Sequence, residues 1–247
     1  MRPTVDTIIA PPFPPQLPWV DGAQGHIDQQ AGQPVLLEFW DFCRVNSLRT
    51  LPYMREFHRR YEPKGLRVIG VHASGFEASS TEQSVRAACA RLGIEYPVAI
   101  DLDLIVWDLY ENAGWPARYL WDHKGVLVDF HYGEGDYAET ELAIQSLLGV
   151  EQEPMAMLTP ADEPGSLIVA QSEDVAGPYS GPYEAGGVWA VLDGEGVVRV
   201  AGREISVTHP GCYALIEHPV HTAGTLELEI GDGVVCEAVC FTPGLAQ

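Results

Sequence analysis

Val35-Leu36-Leu37-Glu38-Phe39-Trp40, with the helical stretch Asn46 to Tyr61 behind it, decides how this chain is read. Six consecutive residues, nearly all apolar and β-prone, describe a strand covered on both faces. The next stretch places Leu48, Leu51, Met54 or Arg55, and Phe57 or His58 on shared faces at helical spacing, which predicts an amphipathic helix. Pro52 falls inside it and is expected to kink it. Outward from there, Leu66 to His72 predicts a second buried strand and Thr81 to Leu92 a capped helix with Val85, Ala88, Cys89 and Leu92 on one stripe. Tyr96 to Ile100 predicts a third strand and Leu104 to Asn112 a short helix. Ala117 to Trp121 and Val126 to Tyr132, joined by the turn Asp122-His123-Lys124-Gly125, predict a hairpin, and Tyr137 to Leu148 a final helix. The order βαβα followed by ββα implies an α/β sandwich with parallel strands first and an antiparallel hairpin last.

Before this block, residues 1–33 are rich in Pro, Gly and Gln and read as an extended lead-in. After it, 150–164 carries Glu151, Glu153, Pro154, Pro160, Asp162, Glu163 and Pro164 and reads as a linker. From 165 to 247 no helix is expected. Strands are expected at Leu167 to Gln171, Gly187 to Leu192, Val197 to Ala201, Glu204 to Thr208, Cys212 to Glu217, Thr225 to Ile230 and Val234 to Thr242. Many short strands separated by turns such as Asp193-Gly194 imply a jelly roll or β-sandwich. The expected organisation is therefore a lead-in (1–33), an α/β domain (34–149), a linker (150–164) and an all-β domain (165–247).

Composition narrows the classes of partner. Against 35 acidic residues stand 14 Lys and Arg, a formal net charge of -21. That excess disfavours nucleic acid and anionic lipid, both of which are bound through basic surface. The start MRPTVDTIIAPPFPPQLPW has too short an apolar run for a secretory signal, and no stretch is long enough to span a membrane. A cytoplasmic location is the corresponding expectation. The five cysteines (Cys43, Cys89, Cys212, Cys236, Cys240) are scattered and lack metal-ligand spacing, so reduced thiols are expected, with no metal and no cofactor.

Three phrases carry a family resemblance: Leu37-Glu38-Phe39-Trp40 leading into Leu48-Arg49-Thr50-Leu51-Pro52, Tyr61 to His72, and Trp115-Pro116-Ala117-Arg118-Tyr119-Leu120. From about Gly32 to Gly149 the chain resembles the thioredoxin-like domain of TlpA-type and DipZ-type thiol–disulfide proteins of bacterial envelopes, within the AhpC/TSA redoxins. The resemblance implies a thioredoxin fold, a three-layer α/β/α sandwich, and an extracytoplasmic setting at odds with the missing export signal. It makes Pro116 the family's cis-proline. The second half is similar to the carbohydrate-binding-module-like β-sandwich of DipZ-type proteins, through Val188-Trp189-Ala190-Val191-Leu192, Gly194-Glu195-Gly196 and Cys240-Phe241-Thr242-Pro243-Gly244.

In that family a Cys-X-X-Cys stands between the strand and the kinked helix; here the aligned positions are Arg44-Val45-Asn46-Ser47. A serine hydroxyl cannot resolve a mixed disulfide, and a guanidinium stays protonated and is no nucleophile. Cys43, one residue upstream, has two readings: a displaced low-pKa monothiol of a thiol-disulfide oxidoreductase or peroxidase, or an inert filler of the loop, which is favoured. Peroxidatic cysteines of related redoxins have Thr three residues upstream, where this chain has Trp40. Arg44 at a helix start opposes the helix dipole; it either pairs with Asp41 or helps hold an anion. The resemblance also implies that Trp115 offers backbone hydrogen bonds to an extended peptide, with Trp40 and Phe42 as walls; these aromatics serve equally well as core.

Elsewhere, Cys236 and Cys240, four apart on one strand, are expected to face the same way about 13 Å apart, too far for a disulfide. His209, His218 and His221, with Glu217 and Glu227, invite a metal reading, but their spacing favours strand-end turns. Tyr179, Tyr183, Trp189 and Tyr213 suit sugar stacking or a sandwich core alike. The expected function is a degenerate thioredoxin-like protein that binds a protein, peptide or other ligand without catalysis. The alternatives are the Cys43 enzyme, and a sugar-binding or scaffold role, dimeric or otherwise homo-oligomeric, for the sandwich.

Overall fold

A computed structural model describes residues 8–20 and 32–247. It divides into two compact units: the first runs through Asp41 and adds Asn46–Ser74 and Thr81–Leu158, and the second gathers Phe42–Val45, Gly75–Ser80 and Thr159–Gln247.

The first unit contains β1 (Val35–Trp40), α1 (Val45–Tyr61), β2 (Arg67–His72), α2 (Glu82–Leu92), β3 (Val98–Ile100), α3 (Ile105–Leu109), β4 (Ala117–Trp121), β5 (Leu127–Tyr132) and α4 (Tyr137–Leu148). Its sheet has the order β3-β2-β1-β4-β5, with β1, β2 and β3 parallel and β4 and β5 antiparallel. Thr81 caps α2 by accepting the N–H of Ser84 at 3.1 Å, and Gly93 ends it in the left-handed conformation that glycine adopts without strain. Pro52 lies on the exposed side of an α1 that remains one continuous helix.

Strand alternation splits the sheet into two faces. Val35, Leu37, Phe39, Ile69, Val71, Ala117, Tyr119 and Trp121 enter one core with Val106 and Tyr110. On the other face Arg118 lies over the ring of Tyr137 in α4 (4.7 Å), which stacks on Tyr53 in α1 at 3.6 Å. The lead-in contributes more than its composition implied. Phe13, Leu17 and Trp19 are buried in the first core, Ile9 bridges to Val126, and Trp19 bridges to Ala99. Prolines there leave the chain extended, and the aromatic residues between them supply the buried area. Residues 1–7 and 21–31 of that lead-in lie outside the described residues.

The second unit is built of strands: β6 (Ile168–Val169), β7 (Val175–Ala176), β8 (Gly181–Gly194), β9 (Gly196–Val200), β10 (Arg203–Val207), β11 (Gly211–Leu226), β12 (Leu228–Ile230), β13 (Val234–Thr242) and β14 (Gly244–Leu245). A four-stranded sheet, β11-β8-β13-β7, and a three-stranded sheet, β10-β9-β12, share one core, in which Val188, Ala190, Leu192 and Phe241 of the first meet Val198, Val200 and Val207 of the second. This is a β-sandwich. Three expectations need correction. The stretch from Cys212 to Glu217 is part of a much longer β11, held to β8 across two register shifts. The expected strand Thr225 to Ile230 is broken between Leu226 and Leu228. A bulge between Cys236 and Ala238 inserts one residue into β13. Cys236, Val239 and Phe241 therefore face the core, and Cys240 turns to the opposite face from Cys236.

Candidate functional site

The chain leaves β1 at Trp40 and enters α1 at Val45, so the residues of interest occupy the turn at the carboxyl end of the parallel strands. Trp40, Phe42, Cys43 and Ser47 are buried, and Arg44 is half-buried. The Asp41 N–H donates to Ser47 Oγ at 3.2 Å, so the serine serves the turn that starts the helix. Asp41 and His72 are both fully buried, with Oδ1 and Nε2 3.5 Å apart, and the edge of His72 meets the Trp40 ring at 5.1 Å.

The second aromatic group sits beside the same strand ends. Ala73, just past β2, donates its N–H to Trp40 O and accepts at its own carbonyl the Trp115 Nε1–H at 2.8 Å. Trp115 packs on Trp107 with ring centroids 4.2 Å apart, and the Trp115–Pro116 peptide is cis. The structure thus brings Trp40 and Trp115 to one end of the sheet. Trp40, Phe42 and Pro116 are closed to solvent, which leaves Trp115 half-exposed among the aromatic and proline residues expected to line a cleft.

Arg44 and the short segment Gly75–Ser80 belong to the second unit. The Arg44 guanidinium lies 4.8 Å over the Phe76 ring, a cation–π contact. Glu237 accepts the N–H groups of Glu77 and Ala78 at 2.9 and 2.7 Å, capping the 3₁₀ turn Glu77–Ser79. Those are charge-assisted bonds to otherwise free helical N–H groups.

Glu38 and Asp101 are among the buried ionisable residues that the sequence did not single out. Glu38 faces Arg118 across the β1–β4 register, both inside the protein. Desolvation pushes the Glu38 carboxyl up to about 8, and the Arg118 charge works in the opposite direction. The signal was present: one carboxylate within a run of apolar strand residues is what a buried acid looks like. Asp101, also buried, accepts the N–H groups of Val106 and Trp107 at 3.1 and 2.8 Å and so fixes the start of α3.

No disulfide joins any of the five cysteines. Burial raises the Cys236 thiol to about 11 and the Cys240 thiol to about 12, and Cys89 is buried on α2. The histidines of the second unit serve the fold. His209 stacks on Tyr213 at 5.1 Å, His218 Nε2 lies 3.0 Å from Tyr183 Oη, and His221 Nε2 lies 3.0 Å from Ala170 O. Among the described residues, no group of three His, Cys, Asp or Glu side chains is placed to hold a metal ion. Of the candidate sugar platforms, Tyr183 is part of the sandwich core, and Tyr179 and Tyr213 pack against it. Among the described residues, no helix is long and apolar enough to cross a membrane.

Comparison with known proteins agrees with this architecture. Residues 10–130 match the model of the AhpC/TSA family. The chain is 34% identical over 147 residues to the protein DipZ of Mycobacterium tuberculosis, covering 57% of this chain and 21% of DipZ. It is 31% identical over 132 residues to the thioredoxin-like protein YneN of Bacillus subtilis, covering 53% of this chain and 74% of YneN. A DsbE-type thiol:disulfide interchange protein from Chlorobium tepidum superposes with a TM-score of 0.52 at 25% identity, covering 57% of this chain and 96% of that one. The chain spans about a fifth of the length of DipZ. With that sheet order, the turn between β1 and α1, and these matches together, the chain belongs to the thioredoxin-like family.

Proposed function

We propose that this chain is a thioredoxin-like binding protein that engages a protein or peptide without dithiol–disulfide exchange. The observation that carries the reading is the turn itself. Arg44-Val45-Asn46-Ser47 stands where the family resemblance puts a Cys-X-X-Cys, and the neighbouring Cys43 is fully buried. Exchange needs an attacking thiolate that reaches its substrate, and a second sulfur to resolve the mixed disulfide. Ser47 supplies no sulfur, and its oxygen is engaged by the Asp41 N–H. The half-exposed Trp115 beside the strand ends offers the apolar contact that peptide recognition uses.

Dithiothreitol-driven insulin reduction tests this directly. The full chain is expected to run at the uncatalysed rate, and Cys43→Ser at the same rate. Alkylation of the native chain followed by mass spectrometry is expected to label Cys43 far more slowly than after denaturation. Turnover of insulin, or rapid formation of a Cys43 sulfenate with dilute peroxide, would overturn the proposal and make Cys43 a working monothiol.

A further inference from the structure

The stretch from Trp107 to Trp115 folds back on itself. Asn112 donates its N–H to Trp107 O and its Nδ2–H to Gly114 O, both at 3.0 Å, and the two indoles meet with ring centroids 4.2 Å apart. Each indole is anchored: Trp107 packs edge-to-face with Phe39 at 5.8 Å, and Trp115 donates its Nε1–H to Ala73 O. Both residues nevertheless remain half-exposed, and Ile105 on the same short helix is 44% exposed. The pair and its neighbour therefore hold apolar surface in water that a partner would cover.

The charge around this surface is of one sign. From 93 to 117 the chain carries five acidic residues and no Lys or Arg. Asp101 is used internally, at the start of α3. Asp103, Asp108 and Glu111 are exposed and make no ion pair among the described residues. Asp103 stands just before α3, and Asp108 and Glu111 lie on the connection between the two indoles. Carboxylates grouped without a cation of the chain's own attract one from outside, and they repel an acidic partner. Among aromatic rings, indole attracts cations most strongly. A guanidinium suits both features, because its plane stacks on aromatic rings and its N–H groups fork onto carboxylates, whereas an ammonium acts as a point charge.

We propose that the Trp107–Trp115 pair, with Asp103, Asp108 and Glu111 around it, receives an arginine side chain from a peptide segment whose neighbouring apolar residues cover Ile105. This inference rests on the reading of the chain as a peptide-binding protein and names the class of peptide.

Three peptides of one length test the assignment: a heptapeptide of alternating leucine and arginine, the same with citrulline, which is neutral and nearly isosteric, and the same with glutamate. Titrated calorimetrically into the full chain, the arginine peptide is expected to bind about tenfold tighter than the citrulline peptide. The glutamate peptide is expected to bind weakest. A chain of formal charge -21 attracts any cation, so the local carboxylates need their own comparison. Asp103→Asn with Asp108→Asn and Glu111→Gln should remove most of the arginine preference. Glu173→Gln with Glu195→Gln and Glu227→Gln, three exposed positions of the second unit, should leave it intact. The Nε1–H resonances of Trp107 and Trp115, identified through Trp107→Phe and Trp115→Phe, should shift as the arginine peptide is added. Absence of saturable arginine-peptide binding below about 1 mM would overturn the inference. So would binding that shifts neither indole, or an arginine preference lost equally in both triple variants. Citrulline binding as tight as arginine overturns the inference while the peptide-binding reading stands; insulin turnover sinks that reading instead.

Discussion

Along β1, Val35, Leu37 and Phe39 enter one core, while Leu36, Glu38 and Trp40 turn to the opposite face. The first face is lined by aliphatic and aromatic side chains, with tyrosine hydroxyls and indole N–H groups as its only side-chain polar atoms among the described core residues, and it packs against α3 and the lead-in. The second buries Glu38, His72 and Arg118 on three adjacent strands. One backbone therefore supports two interiors of different physics. The apolar face gains stability roughly in proportion to buried area, whereas the charged face depends on pairing and on pH. That contrast can be broken at three places.

The largest effect belongs to Arg118. Its guanidinium bonds Gly135 O, lies over Tyr137, and is the cation facing Glu38. Arg118→Met removes the donor to the Gly135 carbonyl and the cation over Tyr137, leaves the buried Glu38 carboxyl with no cation opposite, and should cost about 2–3 kcal/mol at neutral pH, read by urea denaturation. Adding Glu38→Leu should recover most of the loss, because two apolar residues replace the pair. A double variant no more stable than Arg118→Met would mean that Arg118 acts through Tyr137 and Gly135 alone.

Glu38 itself gives the second effect. Its folded pKa of about 8 stands above the ordinary carboxylate value of 4.5, so the folded state holds its proton more tightly than the unfolded chain does. The stability from this group is fully present below about pH 4.5. It declines as pH rises toward 8, by at most about 1.4 kcal/mol per pH unit, and is lost above that. Glu38→Gln keeps the shape, removes the titration, and should flatten the melting temperature between pH 5 and 8 relative to wild type. Parallel pH profiles for the two proteins would show that Glu38 is already ionised across that window.

How far the sequence exposed these differences depended on which period governs each segment. The apolar runs Val35–Trp40 and Ala117–Trp121 and the helical stripe Val85, Ala88, Cys89 are local properties, and those elements were legible. The opposite facing of Cys236 and Cys240 was not, because a single bulge defeats a strict two-residue count and no residue type announces it. Trp19 and Phe13 were hidden for a different reason: between prolines they form no periodic element, and only tertiary packing reveals them as core. At the candidate site, Arg44-Val45-Asn46-Ser47 was legible by position alone, as the residues that the resemblance sets against a Cys-X-X-Cys. Whether Cys43, Trp40 and Phe42 are open to solvent required coordinates, since burial in a turn follows from what packs around it.

Tyr119 on the apolar face supplies the smallest effect and the sharpest contrast with Glu38. Its hydroxyl donates to Asn112 Oδ1 and meets Tyr132 Oη, and burial raises its phenol far above the usual tyrosine value. The group therefore stays protonated across any ordinary pH range. Tyr119→Phe keeps the ring against Phe39 and Trp121 and deletes only the hydroxyl, leaving the buried Asn112 Oδ1 without that donor. The cost should be about 1–2 kcal/mol and the same at pH 5 and pH 8, measured as a shift in urea midpoint at each. A loss that grew with pH would place a titrating group on this face, and the division of the sheet into a pH-sensitive and a pH-insensitive interior would fail.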